Sequence, residues 1–225
     1  MKISVIVPTL NEALIIEKSL IAIARLNPHE IIVADGGSSD ITVSVARRMA
    51  TRVVTSEAGR ARQMNAGAKE ATGDLLLFMH VDSRLTPKSF EKMTEKMTPS
   101  GPAGGAFSLQ IESERISLKL ISILATWRSK YLNLIYGDQT IFVRADIFQK
   151  LNGFSPLPIC EDLEFFRRLS RQGKVILLRE KTHTSARRWM TEGILFTTLR
   201  NITIASLFLL GFPPQILSKW YLVVR

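Results

Sequence analysis

Short apolar runs alternate with amphipathic stretches through the first eighty residues. Runs rich in β-branched or large apolar residues occupy residues 3–7, 30–34, 52–55 and 74–79. Between them, residues 12–26, 41–49 and 60–71 carry apolar side chains at the three- and four-residue spacing of a helix. Strands that alternate with helices predict right-handed βαβ units, and therefore an α/β fold with a mainly parallel sheet flanked by helices.

The pattern changes after residue 100 without a linker that would mark a domain boundary. Further strands are predicted at 106–111, 139–143 and 175–178, and a helix at 162–171. A long amphipathic helix is predicted at 116–132, and its apolar face carries Ile116, Leu120, Ile123, Leu124, Trp127 and Tyr131. We assign residues 1–189 to one domain and residues 190–225 to a C-terminal helical extension.

The C-terminal extension is apolar and basic. Residues 181–225 contain one acid, Glu192, against six basic residues, which are Lys181, Arg187, Arg188, Arg200, Lys219 and Arg225. A bilayer-spanning helix is the least favoured interpretation, because an arginine near its centre costs about 2.5–3.5 kcal/mol. The charge-free run 202–212 is also too short for roughly 30 Å of hydrocarbon. An interfacial helix on a membrane and a helix packed on the domain both stay open.

Composition narrows the function classes. The chain has 225 residues, 46% of them hydrophobic and 22% charged, which excludes a disordered protein. Its one cysteine, Cys160, excludes a disulfide scaffold. A net charge of +10 indicates an anionic partner, and the even spread of basic residues before the C-terminus argues against nucleic acid. The N-terminus lacks a signal-peptide pattern, so we expect a cytoplasmic protein with peripheral contact to the inner face of the membrane.

Polar clusters follow three of the predicted strands. They occupy residues 8–12, 35–40 and 80–82. Because ligands of open α/β sheets bind outside the carboxyl ends of the strands, we expect these clusters to converge on one cleft. Each cluster also has a structural explanation, since Asn11 and Asp40 suit helix caps and Gly36 and Gly37 suit a tight turn.

Carboxylates dominate these candidate positions. The chain has no Walker A sequence and no G-x-G-x-x-G after a strand, so P-loop and dinucleotide-binding functions lose their main support. Acids hold a divalent cation well, and Asp35 can instead accept a hydrogen bond from a base or ribose. Three further carboxylates, Glu161, Asp162 and Glu164, begin a helix. They either favour its dipole or provide a general base in Asp162.

The order of these motifs resembles that of family 2 glycosyltransferases of the GT-A type. The segments that carry the resemblance are IVPTLNE, VADGGSSDIT, GRARQMNAGAKEATGDLLLFMHVD, GGAFSL, GDQTIFVR, PICEDLEFFRRL and SARRW. The resemblance runs from Lys2 to about Trp189. It implies a GT-A, Rossmann-like fold and an enzyme that uses a nucleoside-diphosphate sugar.

The resemblance also implies site residues. The implied nucleotide-sugar contacts are Pro8, Thr9, Glu12, Asp35, Arg60, Asn65, Asp82, Arg188 and Trp189, with Gly67 on the same helix as Asn65. Asp82 matches the last acid of the metal-binding D-x-D motif, with His80 in place of the first acid. Either Mn²⁺ or Mg²⁺ is therefore expected as cofactor. Asp162 matches the catalytic base, and Gly36 departs from the acid usual at its position.

We therefore expect an inverting transfer to an acceptor hydroxyl. The acceptor itself is not indicated, although a lipid-linked one fits the C-terminal extension. A nucleotidyltransferase is the first alternative, but PTLNE lacks the glycine-rich, Arg-containing loop and the lysine that such enzymes need after the first strand. A non-catalytic, basic membrane-surface protein is the second. Ser185 stands where a processive synthase has Gln, which argues against polymer export.

Overall fold

The computed structural model describes residues 1–98 and 100–221, which form an α/β fold around one eight-stranded sheet. Its strands are β1 (Ile3–Thr9), β2 (Glu30–Asp35), β3 (Arg52–Thr55), β4 (Leu75–Phe78), β5 (Ser83–Leu85), β6 (Gly104–Glu112), β7 (Ile141–Arg144) and β8 (Val175–Ser185). Its helices are α1 (Ile16–Ala24), α2 (Thr42–Ala46), α3 (Arg60–Lys69), α4 (Pro87–Lys96), α5 (Ile116–Leu132), α6 (Ala145–Lys150), α7 (Glu161–Gln172), α8 (Arg187–Glu192), α9 (Ile194–Leu209) and α10 (Pro214–Leu217).

The first four strands form the parallel half of the sheet. The strand order is β3-β2-β1-β4-β7-β6-β8-β5, with β1 parallel to both β2 and β4. Every residue of β1 and β2 is buried, as an apolar strand covered by helices on both faces requires. The carboxyl ends of β1, β2 and β4 therefore meet at one edge, which confirms the arrangement expected from the sequence.

The second half of the sheet is mixed. β7 runs antiparallel to β4 and to β6, while β6 and β8 are parallel. Gly104 and Gly105 lie where β6 passes between β7 and β8. A Cβ at Gly105 would collide with the carbonyl oxygen of Ile176, so only glycine allows the strands to approach this closely. Among the described strands, parallel pairs remain the majority, at four of seven.

Most predicted elements are confirmed, with shifts at their ends. α5 has the predicted bounds, and α1 begins at Ile16 rather than at residue 12. The carbonyl of Glu12 accepts the N–H groups of Ile15 and Ile16 in a turn that precedes this helix. The pattern missed β5, α4 and α6, which are short or polar. α4 nevertheless has clear start signals, since Thr86 caps Ser89 and Pro87 is its first residue.

The apolar face of α5 points to solvent, whereas an amphipathic surface helix usually turns that face to the core. Ile123 is 64% exposed and Trp127 is 56% exposed. The buried side of the helix instead carries Leu118, Ser122 and Ser129. The side chains of both serines bond to the helix's own backbone and to groups outside it. Side-chain hydrogen bonds, together with the burial of Leu118, therefore set the orientation of this helix.

The C-terminal helix α9 packs on the domain along one face. Ile204 joins Ile159 and Leu217 in a small buried cluster, and Arg200 pairs with Glu192 at 2.6 Å. Among the described residues, no helix is long and apolar enough to cross a membrane. Arg225, one of the basic residues counted in the sequence, lies outside the described residues.

Candidate functional site

Two adjoining cavities open at the carboxyl ends of β1 and β4. The outer cavity has a volume of about 740 Å³ and the inner one about 150 Å³. Both are lined by Arg60, His80, Asp82, Arg188 and Tyr221. A ligand that extends from one cavity to the other must therefore pass these five side chains.

The outer cavity is formed by the loops that follow β1 and β4 and by the start of α3. Pro8, Thr9 and Glu12 line it, as the sequence predicts for a nucleotide-contacting loop. Gln63 of α3 fixes this edge, because its side-chain amide donates to the carbonyls of Thr9 at 2.6 Å and Ala34 at 3.1 Å. The loop after β1 is thereby held against the helix that carries Arg60.

Arginines make the junction of the cavities electropositive. Arg60, Arg187 and Arg188 all line the outer cavity, and Arg187 also pairs with Glu12 at 3.7 Å. Burial by itself lowers the pKa of Arg60, but the charge of Glu161, together with the effects of Tyr221 and Asp162, outweighs it and raises that pKa. Fixed guanidinium groups of this kind suit an anion such as a diphosphate.

His80 and Asp82 lie at the same junction. Burial, together with the charges of Arg60 and Arg188, lowers the pKa of His80 to about 3, so its imidazole is neutral near pH 7. Burial raises the pKa of Asp82, against the opposing effect of Arg187. His80 and Asp82 thus place a neutral imidazole nitrogen and a carboxyl group two residues apart in the loop after β4.

The inner cavity contains the predicted base. Asp162 lines it from the first turn of α7, and its Oδ2 accepts a hydrogen bond from the backbone N–H of Gly137. A Cβ at Gly137 would lie 2.9 Å from Nε2 of His80 and 3.1 Å from Oδ2 of Asp162. Glycine therefore lets the imidazole and the carboxylate approach the same turn.

A second carboxyl group, Asp138, lines the inner cavity beside Tyr136. Its Oδ1 is buried and, among the described residues, has no hydrogen-bond partner. Burial raises the pKa of Asp138 to about 6 and the pKa of Tyr136 to about 12. Asp138 and Asp162 therefore place two of the cavity's carboxyl groups beside Gly137.

The other two acids of α7 have different surroundings. Glu161 is 3% exposed, lines the inner cavity and pairs with Arg60 at 3.6 Å. Burial raises the pKa of Glu161. Glu164 instead pairs with Arg168 at 2.6 Å, and Arg168 donates to the carbonyl of Leu151. Glu161 therefore belongs to the site, while Glu164 fixes the loop before α7.

The C-terminal helices complete the inner cavity. Asn201, Ile204 and Ala205 of α9 line it, and Trp189 of α8 lies beside them. The guanidinium carbons of Arg188 and Arg200 lie over the ring of Tyr221, at 4.5 Å and 4.9 Å from its centroid.

Two predicted nucleotide contacts, Asp35 and Asn65, are absent from the lining of the cavities described. Asp35 is 1% exposed, and its carboxylate accepts the N–H groups of Gly37 and Ser38 at 2.9 and 2.8 Å. The amide of Asn65 bonds to both backbone groups of Phe154, at 2.8 and 2.9 Å. Both side chains fix loops near the site, so only two of the three polar clusters reach the cleft.

The divalent cation expected from the sequence has a partial donor set here. No group of three or more His, Cys, Asp or Glu side chains within residues 1–98 and 100–221 is arranged to hold a metal ion. His80 and Asp82 supply two suitable donor atoms where the two cavities join. They would provide two ligands of a divalent cation, which needs further oxygen ligands from elsewhere.

The sequence did not predict several of the residues that line the cavities. Asp138 lies within the GDQTIFVR segment and Tyr136 directly precedes it, so the acid just before a predicted strand could have indicated a site residue. Asn201 and Tyr221 carried no such signal. Their place in the site depends on how the C-terminal helices fold back, which periodicity does not encode.

Comparison with known proteins identifies related sequences. The chain matches the family described as Glycosyl transferase family 2 over residues 4–148. The "PGL/p-HBAD biosynthesis glycosyltransferase" of Mycobacterium bovis is 35% identical over 91 residues, covering 36% of this chain and 36% of that protein. The "Uncharacterized glycosyltransferase YwdF" of Bacillus subtilis is 34% identical over 103 residues, covering 43% and 38%. The chain thus spans little more than a third of the length of these curated relatives.

Solved structures share the fold. S. aureus TarS (residues 1–349) has a TM-score of 0.66 at 20% identity, covering 83% of this chain and 61% of that one. Glucosyl-3-phosphoglycerate synthase from Mycobacterium tuberculosis, solved with Mn²⁺ and UDP-glucose, has a TM-score of 0.59 at 21% identity, covering 80% and 69%. TarS has also been solved with UDP-GlcNAc. These similarities confirm the predicted GT-A fold.

Proposed function

The chain belongs to glycosyl transferase family 2, and from that membership we propose that it transfers a sugar from a nucleoside-diphosphate sugar to an acceptor hydroxyl with inversion. One observation carries this proposal: the outer cavity, formed by strand-end loops, joins the inner cavity, which contains Asp162, at a cluster of arginines. Family membership favours this reading over the nucleotidyltransferase and non-catalytic alternatives. Relatives of the fold bind UDP, UDP-GlcNAc and UDP-glucose, which supports a UDP-sugar donor.

The donor fits the two cavities in a defined order. The nucleotide lies in the outer cavity against Pro8, Thr9 and Glu12, and its diphosphate lies beside Arg60 and Arg188. The transferred sugar then extends toward the inner cavity. Asp35 and Asn65, predicted as direct contacts, act here through the loops that their hydrogen bonds hold in place.

The chemistry needs one base in the inner cavity. Asp162 takes the proton of the acceptor hydroxyl, whose oxygen attacks the anomeric carbon as the bond from that carbon to the diphosphate oxygen breaks. The departing diphosphate keeps the electron pair, and Arg60 faces its negative charge. His80 and Asp82 would hold Mn²⁺ or Mg²⁺, and a cation bound there neutralises charge on the leaving group.

The acceptor enters through the inner cavity, whose lining is both polar and apolar. Asp138 and Asn201 offer hydrogen-bonding groups, while Trp189 and Ile204 offer apolar contacts. This mixture supports an acceptor that has a hydroxyl and an apolar portion, such as a lipid-linked sugar. A membrane contact by residues 190–225 and a cytoplasmic location agree with such an acceptor and remain predictions.

Binding of nucleotide sugars tests the proposal. We expect UDP-glucose or UDP-GlcNAc to raise the melting temperature, since ligand at a hundred times its Kd adds about 2.7 kcal/mol of stability. Mn²⁺ should increase the shift in melting temperature caused by the UDP-sugar in the native protein but not in Asp82→Ala. Asp146→Ala, which changes an exposed carboxylate on α6, is the matched control. Absence of any shift with UDP and both UDP-sugars would contradict the proposed donor class, and an unchanged Mn²⁺ effect in Asp82→Ala would contradict the metal assignment.

A further inference from the structure

An apolar stripe covers the outward face of α5. Its side chains are between 53% and 83% exposed and comprise Ile116, Leu120, Ile123, Leu124, Trp127 and Tyr131. They recur at three- and four-residue spacing, so they form one continuous strip rather than scattered contacts. A contiguous exposed apolar surface of this kind marks an interaction site.

The helix is fixed with this stripe outward. On its inner side, Ser122 accepts the N–H of Ile111 at 2.9 Å, and Thr126 accepts the N–H of Leu109 at 3.1 Å. Ser129 donates to Gln139 at 2.7 Å. Rolling the helix to bury the stripe would break all three bonds to the protein, so the exposed face is a property of the folded domain.

The charges around the stripe favour an anionic partner. No Asp or Glu occurs between Arg115 and Gly137, and Lys119 and Lys130 lie along one side of the stripe, where Lys119 also pairs with the exposed Glu114 at 3.0 Å. Trp127 and Tyr131 pack together with ring centroids 5.0 Å apart. Apolar residues with Trp, Tyr and flanking lysines are the composition of a helix that lies in a membrane interface. In an antiparallel two-fold dimer through the same face, the basic side of one helix would meet the basic side of the other.

The outward face of α9 is apolar as well. Leu195, Phe196, Leu199 and Ile202 are each between 54% and 73% exposed. The two helices adjoin, because Leu118 of α5 packs in one cluster with Trp189 and with Ile194 at the start of α9. No acid occurs between residues 193 and 221. The inward residues of α9 line the inner cavity, so one helix connects the exposed surface to the site.

We propose that the outward faces of α5 and α9 lie on an anionic phospholipid bilayer, with α5 as the main anchor. This goes beyond the contact expected for residues 190–225, because it assigns the larger part to a helix within the domain. It also places the inner cavity beside the lipid surface. In that position the acceptor hydroxyl would belong to a membrane lipid, and this consequence rests on the proposed function.

Vesicle sedimentation with a pair of matched variants tests the surface. The full chain is mixed with phosphatidylcholine vesicles that either contain or lack phosphatidylglycerol. Ile123→Glu should lower the partition coefficient about tenfold or more, since an apolar anchor becomes an acid. Ile41→Glu is the control, because Ile41 has the same 64% exposure and precedes α2, which packs against α1. Replacing Lys119 and Lys130 by Gln should weaken binding only to phosphatidylglycerol vesicles and reduce its salt dependence.

Several outcomes would overturn the proposal. Failure of the native chain to bind phosphatidylglycerol vesicles, or equal binding by Ile123→Glu, would reject it. Light scattering identifies the competing occupant: a native dimer that Ile123→Glu makes monomeric, without vesicle binding, would assign the stripe to a second copy. Circular dichroism shows that the variants fold. Shifts in melting temperature with UDP-sugars measure donor binding separately from vesicle binding. A failure of the membrane proposal is therefore distinguishable from a failure of the proposed function.

Discussion

Asp162 and Glu164 show how two residues of one motif come to have different roles. Both lie in the first turn of α7, and the sequence alone allowed either to favour the helix dipole. In the fold, the Asp162 carboxylate lines the inner cavity and meets the N–H of Gly137, whereas Glu164 pairs with Arg168. Two positions along a helix correspond to a rotation of about 200°, so Asp162 and Glu164 point to opposite sides of α7.

Asp162→Asn tests the base directly. Asn keeps an acceptor oxygen for Gly137 but cannot take a proton, so we expect turnover to fall by about 10²–10⁴-fold. Affinity for UDP should stay the same, because the contacts proposed for the nucleotide and its diphosphate lie at the junction and in the outer cavity. Turnover is measured as release of UDP from the UDP-sugar that binds.

The matched control for this variant is Glu164→Gln on the same turn of α7. It should turn over like the native enzyme and lose only the stability of its pair with Arg168. Near-native turnover in Asp162→Asn would transfer the role of base to Glu161, which lines the same cavity.

At the scale of elements, the sequence predicted the strands and helices that have a regular apolar spacing, and it predicted the cleft at the strand ends. The buried strands β1, β2 and β4 and the helix α5 followed from apolar spacing, and the cleft followed from the shared edge of parallel strands. The facing of α5 did not follow, because serine and threonine hydroxyls that bond to β6 hold it. An apolar pattern indicates which residues share a face, but not whether that face meets the core.

Glu30 connects three elements of the parallel half. Its Oε1 accepts hydrogen bonds from Ser4 of β1 at 2.6 Å and from the N–H of Thr72 before β4 at 2.6 Å. Burial by itself raises the pKa of Glu30, but these hydrogen bonds outweigh it and lower the pKa below its ordinary value. The ionised form is therefore favoured in the folded state.

Glu30→Gln should destabilise the protein by about 1–3 kcal/mol at neutral pH, as measured by urea unfolding. Because the folded-state pKa lies below the unfolded one, ionised Glu30 contributes its full stability above the unfolded pKa and loses it as the pH falls through the folded pKa. The difference between native and variant proteins should therefore shrink in acid. Glu17→Gln, at an exposed position of α1, should show neither effect. A difference that is constant with pH would contradict the ionised network.

At the scale of the whole molecule, the C-terminal extension and the catalytic domain share the inner cavity. The sequence separated residues 190–225 from the domain by composition, since an apolar and basic segment suggests a membrane or packing role. It carried no sign that Asn201 or Tyr221 would face Asp162 across a cavity. Contacts between segments far apart in the chain depend on tertiary folding, which local pattern does not specify.

A buried ion pair between Glu192 and Arg200 joins α8 to α9 within the extension. Their side chains are 5% and 6% exposed, and their charged atoms lie 2.6 Å apart. Arg200→Met leaves Glu192 buried without its partner, so we expect a loss of about 3–5 kcal/mol in urea unfolding. The double variant Glu192→Gln with Arg200→Met should recover much of this loss, because no lone buried charge remains.

The same variants test whether the extension belongs to the site. Arg200 also lies over the ring of Tyr221 at 4.9 Å, so Arg200→Met removes contacts of α9 with two neighbours, and the wall formed by Asn201, Ile204 and Ala205 should loosen. Affinity for a UDP-sugar should then fall further than affinity for UDP, because the sugar extends toward the inner cavity and the nucleotide lies in the outer one. Isothermal titration with both ligands measures this difference, and the double variant should reduce it. Equal affinities in native and Arg200→Met proteins, despite the loss of stability, would show that residues 190–221 act independently of donor binding.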